Sequence, residues 1–191
     1  MKVFAILNNY KPVEDSKSLG WYLIADSAVT NVGKPFYLPE YVGPTEVILT
    51  MVVKISRLGK FIDQKFASRY YSEYAPGLHF RLPEYGNILR DSGLPADASH
   101  SFDRSLIVGD FRPIQEFEPL FVKNNGEIMA ELNMESFQHS IDQVISRVSL
   151  MNTIKIGDFV LPGLITGGFI NVGDFLEVGN KREQCFHVRV K

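Results

Sequence analysis

The chain has a single cysteine, Cys185, so an internal disulfide framework is excluded and a reducing compartment, the cytoplasm, is expected. It has no basic excess. Lysines and arginines number 20 against 22 aspartates and glutamates, a formal net charge of -2. Such a surface does not neutralise a phosphate backbone, so nucleic acid is not an expected partner. It has no long apolar run: stretches such as Met51-Val52-Val53 are far too short to cross a bilayer, and no membrane partner is expected. Met1 to Leu7 carries one charge before an apolar run and lacks a small-residue cleavage site, so it reads as a first strand rather than a signal peptide. There is no internal repeat and no low-complexity segment.

What is present is an ordinary globular composition, 45% hydrophobic and 22% charged over 191 residues, enough for one domain with a real core. Short strand-like runs dominate: Val3 to Leu7, Val47 to Ser56, Leu106 to Gly109, Leu120 to Lys123, Ile128 to Leu132, Phe159 to Leu161, Phe175 to Val178 and Cys185 to Val190. In the second of these, Val47, Leu49, Met51, Val53 and Ile55 share one face while Ile48 and Val52 are apolar on the other. Two apolar faces predict a buried central strand. Asn125-Gly126 predicts a tight hairpin, because both positions tolerate positive φ. Two segments predict helix: Asp63 to Tyr74, stopping before Ala75-Pro76-Gly77, and Glu135 to Leu150, whose Phe137, Ile141, Val144, Ile145 and Val148 form one stripe, with Asn133 as N-cap. The pairs Gly109-Asp110, Gly157-Asp158 and Gly173-Asp174 read as turn chemistry at strand edges. The fold class is α+β, mainly β.

Several stretches in order resemble the fumarylacetoacetate hydrolase superfamily. They are Val52-Val53-Lys54-Ile55-Ser56-Arg57-Leu58-Gly59-Lys60, Ala67-Ser68-Arg69-Tyr70-Tyr71, Gly77-Leu78-His79-Phe80, Ser92-Gly93-Leu94-Pro95 with Ser101-Phe102-Asp103, Asn125-Gly126-Glu127, and the segment Phe137 to Val148 followed by Ile154-Lys155-Ile156-Gly157-Asp158. The resemblance implies a mixed β-roll with two or three short helices in one domain, 1–191, with a strand and lid remnant over 1–40 and the roll over 41–191. It implies a homodimer. It also implies hydrolase, isomerase or decarboxylase chemistry on 2-oxo acids, using Mg²⁺ or Mn²⁺ held by three carboxylates.

Carried over residue by residue, that metal site looks dismantled. The family's Glu-x-Glu pair is placed on Ile48 and Thr50, its aspartate on His79, and the lysine of its Lys-x-Phe-Asp loop on His100, with Asp103 retained. Isoleucine offers no lone pair, threonine one neutral hydroxyl, and imidazole suits zinc, copper, nickel or iron better than magnesium. In the lid, Asn9-Tyr10 survive, but the family's His and Glu fall on Val13 and Ser16, and neither side chain can abstract a proton at neutral pH. Glu14 and Asp15 lie close enough to supply one carboxylate in a shifted frame. In the substrate loop, Pro162-Gly163-Leu164-Ile165-Thr166-Gly167, proline lacks an N–H and leucine lacks a hydroxyl, while Gly163 and Gly167 keep the backbone free.

The main expectation is therefore a family member without catalysis, a pseudoenzyme binding a small carboxylic acid or a partner, with no cofactor. The alternative is a divalent-metal-dependent hydrolase, isomerase or decarboxylase of acylpyruvates or oxaloacetate with a rebuilt site, in which His79 and His100, with Glu46 and Asp103, hold zinc or iron. His100 and Asp103 are its catalytic candidates. A third possibility is a subunit paired with an active relative. Arg69, Arg81, Gly163, Thr166 and Gly167 are candidates for the ligand cleft, the arginines for gripping an anion. Lys11 to Leu19 is the candidate lid. Cys185 and His187 alternate on the last strand, but a nucleophilic pair there lacks any flanking signature.

Overall fold

The strand Thr45–Ile55 is the spine of the molecule, and nearly all of its side chains are buried. The computed structural model describes residues 1–10, 19–39 and 43–191. Most of the expected lid, including Val13, Glu14, Asp15 and Ser16, lies outside the described residues. In chain order the elements are β1 (Val3–Leu7), β2 (Gly20–Ile24), β3 (Val29–Asn31), β4 (Thr45–Ile55), β5 (Tyr71–Arg81), α1 (Pro83–Asp91), β6 (Leu106–Val108), β7 (Arg112–Pro113), β8 (Leu120–Asn124), β9 (Glu127–Leu132), α2 (Ile141–Met151), β10 (Phe159–Leu161), β11 (Leu164–Ile170), β12 (Phe175–Gly179) and β13 (Gln184–Arg189).

Among the described residues, nine strands make a mixed sheet in the order β2-β1-β10-β4-β5-β6-β3, with β11 also on β4 and β7 also on β5. A second sheet runs β13-β12-β8-β9. Val47, Leu49, Met51, Val53 and Ile55 of β4 face a core shared with Leu120, Val122, Leu176, Val178 and Val188 of the second sheet. Ile141, Val144, Ile145 and Val148 of α2 close that core with the helical stripe read from the sequence. The opposite face of β4 sends Val52 into a smaller cluster with Val3, Ala5, Ile24, Leu106 and Leu161. Both faces of the spine are buried over most of its length, with Glu46 and Lys54 only partly so. The molecule is α+β and mainly β, as expected, and Asn125 (φ 51°) with Gly126 (φ 91°) forms the expected hairpin turn between β8 and β9.

Several expectations need correction. The helix expected over Asp63 to Tyr74 is a 3-10 helix over Gln64–Tyr70, and Tyr71 to Tyr74 opens the long strand β5. Proline does not end an element there. Pro76 sits inside β5 opposite Met51, and its carbonyl takes the N–H of Gly109 just past the end of β6. The missing N–H therefore points where the sheet partner has run out. The second helix is shorter than expected. Asn133 caps only a 3-10 turn, Met134–Ser136, and α2 starts from Ser140 through a reciprocal capping box with Gln143. Phe137 and His139 thus precede the helix. The glycine-containing stretch expected as a substrate loop is mostly the strand β11, bulged between Thr166 and Gly168.

Candidate functional site

Cross-strand pairing places the residues of interest in rows on one face of three neighbouring strands. The register gives Leu164, Thr50 and Gly77 in one row, Thr166, Ile48 and His79 in the next, and Phe169, Glu46 and Arg81 in the third. Directly opposed residues share a face, so Glu46, Ile48, Thr50, His79 and Arg81 all lie on the side of β4 and β5 away from the main core. Above this face, β2 brings Tyr22, and the turn after α1 brings Ser99 and His100. Together they enclose a cavity of about 420 Å³ whose polar walls are Tyr22, Arg81, Arg90, Ser99 and His100, with Leu7 among the apolar ones.

The polar groups form a chain. Nδ1 of fully buried His79 lies 2.7 Å from the carbonyl oxygen of Ser105, which can only accept, so Nδ1 carries the proton. Nε2 is then an acceptor, and the Tyr22 hydroxyl donates to it at 2.8 Å. Burial pushes the Tyr22 phenol up despite the opposing charge of Arg81, so it stays a donor at neutral pH. Burial drives the His79 imidazole down to about 3, helped by the charges of Arg81 and His100 and opposed by the bond to Ser105, so it is neutral. Arg81 reaches Glu46 through two nitrogens, Nε at 3.1 Å and Nη2 at 2.6 Å, both on the single oxygen Oε2. The His100 ring lies on Tyr22 with centroids 3.9 Å apart. Its Nε2 has no hydrogen-bond partner among the described residues, and Asp97 stands 3.9 Å away. Burial holds the His100 imidazole below its usual value, Asp97 opposing and the charges of Arg81 and Arg90 reinforcing.

The candidate residues divide. Arg81 and His100 meet at the cavity, and His79 joins them through Tyr22. Asp103 is exposed and outside the cavity wall. Arg69 is exposed as well, its guanidinium 4.7 Å from the Phe66 ring centroid, and does not line the cavity. Thr50 is taken by structure: its hydroxyl donates to the Gly163 carbonyl at 2.7 Å. Gly163 is buried against the Phe137 ring. Thr166 shares the row of Ile48 and His79, whereas Gly167 packs against Val47 at the bulge. His187 lies against the Phe175 ring rather than pairing with Cys185. Asn9 is a clamp: it donates to the carbonyls of His139 and Pro162 and accepts from the His139 N–H. Sequence reasoning missed Tyr22, whose partner lies 57 residues away. It set Glu46 outside the Glu-x-Glu frame.

The register bears on that frame. A Glu-x-Glu pair with one member opposite His79 falls either on Ile48 and Thr50 or on Glu46 and Ile48. Only the second frame adjoins the cavity wall, through Arg81, so the carboxylate of Glu46, which the sequence set outside the Glu-x-Glu pair, stands on this face. The donor set still does not fit a hard divalent ion, which wants several oxygen ligands. Ile48 offers nothing, Thr50 and the His79 Nε2 are engaged, and Glu46 is already neutralised by Arg81. Among the described residues no three His, Cys, Asp or Glu side chains converge. For the same reason His79, His100, Glu46 and Asp103 do not assemble the rebuilt site. Among those residues no helix is long and apolar enough to cross a membrane.

No family model matches the chain. The chain is 29% identical over 164 residues to the mitochondrial oxaloacetate tautomerase FAHD1 of Rattus norvegicus, covering 83% of this chain and 74% of that one. It is 23% identical over 193 residues to a mitochondrial oxaloacetate decarboxylase of Dictyostelium discoideum, covering 93% and 88%. Among solved structures, a Yersinia pestis CO92 protein assigned to the fumarylacetoacetate hydrolase family superposes with a TM-score of 0.90 at 24% identity, covering 100% of this chain and 93% of that one. The fumarylpyruvate hydrolase of Pseudomonas aeruginosa in complex with Mn²⁺ and pyruvate superposes with a TM-score of 0.89 at 19% identity, covering 100% and 89%. At these identities the superpositions show the fold, and the sequence relatives carry the kinship. In sequence and in fold the chain is similar to members of the fumarylacetoacetate hydrolase superfamily.

Proposed function

We propose that the protein acts on small 2-oxo acids of the oxaloacetate kind, interconverting their keto and enol forms in the Tyr22–Arg81–His100 cavity. The observation that carries this is a wall with two guanidinium groups and an imidazole but no carboxylate, which suits a small anion. The names of the relatives, tautomerase and decarboxylase of oxaloacetate, support the same substrate class. Enolisation moves one proton off C3 as the C–H electron pair becomes the C2–C3 double bond. The charge collects on the former carbonyl oxygen, which takes a proton back, so no atom is gained or lost. The step needs a neutral base and a positive group at the oxygen. His100, kept neutral by burial, is the base, and Arg81 supplies the charge.

Inactivity was the main expectation from the sequence, and the enzyme relatives favour its alternative. One observation keeps a second reading open, ligand binding without turnover: Ile48 occupies a position where the family has a carboxylate. Stopped-flow absorbance of oxaloacetate separates the two. Turnover predicts keto–enol exchange above the buffer rate with EDTA present, reduced about 100-fold in His100→Gln. Saturable binding with no rate above buffer supports the second reading, and neither binding nor rate defeats both. A cytoplasmic homodimer completes the proposal. Sedimentation at micromolar concentration tests its subunit count.

A further inference from the structure

We infer that Arg81 is a built-in cation: held against Glu46 on the face that carries His79, it takes the charge-supplying and anion-gripping role for which the fold's metal-bearing relatives use a bound ion. The inference deepens the proposed function and rests on the cavity assigned there.

The geometry comes first. Arg81 follows His79 by two residues on β5, so the two side chains leave the same face about 6.6 Å apart. Its cross-strand partner is Glu46. The carboxylate takes Nε and Nη2 through one oxygen, which fixes the guanidinium plane. Nη1 is not part of that pair. An arginine locked by a neighbour loses little further freedom when it binds a ligand. Both partners are largely withdrawn from water, with side-chain exposures of 29% for Arg81 and 12% for Glu46. Water therefore screens the ion pair poorly, and its guanidinium borders a cavity that Arg81 lines while the carboxylate does not.

Charge balance points the same way. A divalent ion on three carboxylates leaves a site of net charge -1. Here the face holds one carboxylate and one guanidinium, a sum of zero, with Arg90 as a second positive group on the cavity wall. The pocket thus offers an incoming dianion at least as much positive charge with no ion to capture. The neighbouring changes agree. Ile48 carries no charge that a missing ion would strand, and His79 is neutral with both ring nitrogens hydrogen-bonded. A carboxylate left at either position without a metal would be buried and unpaired, at a cost of several kcal/mol. The ligand class that follows is a small carboxylate bearing an adjacent oxygen, gripped by Arg81 from the Nη1 side that Glu46 leaves free and held at its other end by Arg90.

Calorimetric titration with oxalate, a stable planar dianion shaped like a 2-oxo-acid enolate, tests this on the intact chain. In EDTA the wild type binds oxalate, and added Mg²⁺ or Mn²⁺ changes the affinity by less than about twofold. Arg81→Met weakens binding about 30-fold and Arg81→Lys by less, because the ammonium keeps the charge and loses the fork. Thermal unfolding shows whether each variant folds. Should Arg81→Met not fold, Arg81→Lys and the metal comparison on the wild type decide. Oxalate binding that needs Mg²⁺ or Mn²⁺, or that is unchanged in a folded Arg81→Met, overturns the inference. The two proposals fail separately. Oxaloacetate exchange seen only with added Mn²⁺ removes the built-in cation and keeps the substrate class. Oxalate binding in EDTA without exchange keeps the cation and removes the catalysis.

Discussion

The Tyr22 hydroxyl donates to Nε2 of His79 across 2.8 Å, joining an otherwise outlying strand to the buried centre of the sheet. With the tautomer of His79 fixed by the Ser105 carbonyl, the Tyr22 contact engages the ring nitrogen left as acceptor. It also carries the support for the His100 ring, which rests on the same phenol.

Tyr22→Phe keeps the ring and removes the donor, leaving a buried nitrogen unsatisfied. Urea unfolding is expected to show a loss of about 1–3 kcal/mol. A neutral result would mean that the bond contributes nothing to stability.

His79 makes stability depend on pH with a definite sign. Its folded value of about 3 lies below the value near 6.5 of an unfolded histidine, so between these limits the unfolded chain binds more protons. The contribution is complete above about pH 6.5 and declines by about 1.4 kcal/mol per unit as pH falls toward 3. Asp158 acts in a lower window. Burial raises its carboxyl, but the hydrogen bonds and charge of Lys2 and the N–H of Lys155 outweigh that and hold it below the usual range, so its contribution goes only under about pH 4. Chemical unfolding between about pH 7 and 5 should therefore show a shallower slope in His79→Gln than in the wild type. Equal slopes would contradict the neutral buried imidazole.

Gly163→Ala tests the floor of the site. A β-carbon there would overlap the edge of the Phe137 ring, and the strand pairing beside it leaves little room to move. The expected cost is about 1–3 kcal/mol, partly recovered in a Gly163→Ala, Phe137→Leu double variant. Additive losses in a double-mutant cycle would rule out the ring as the cause.

Asn9→Ala removes three buried or part-buried hydrogen bonds that tie the end of β1 to the chain before α2 and before β11. At about 1 kcal/mol each, the melting temperature should fall by several degrees. An unchanged melt would show that water replaces the amide without loss.

Much of the frame was legible in the sequence because it follows from local pattern. β4 announced itself by apolar residues on both faces, and the β8–β9 turn by Asn125-Gly126. β5 was hidden by its polar start, Tyr71-Ser72-Glu73, and by Pro76, which reads as a breaker until the end of β6 shows that no donor is needed there. α1 gave weak signals, a proline at its first turn and an acidic second residue, with too few apolar positions to form a stripe. The site was legible in part. Arg81 and His100 were named and do meet at the cavity. Tyr22 and Glu46 owe their roles to pairings 57 and 35 residues apart, which no local pattern encodes.

The alternation along β4 has a consequence for how such a protein can change over time. The odd-numbered residues Val47 to Ile55 hold the two sheets together, while Glu46, Ile48 and Thr50 look the other way. Substitutions on the second set leave the sheet-to-sheet contacts of the first in place, so an exchange of reactive groups is felt mainly on its own face. Selection on chemistry and selection on folding thus act on interleaved letters of one short word, and a lineage can rewrite one set while conserving the other.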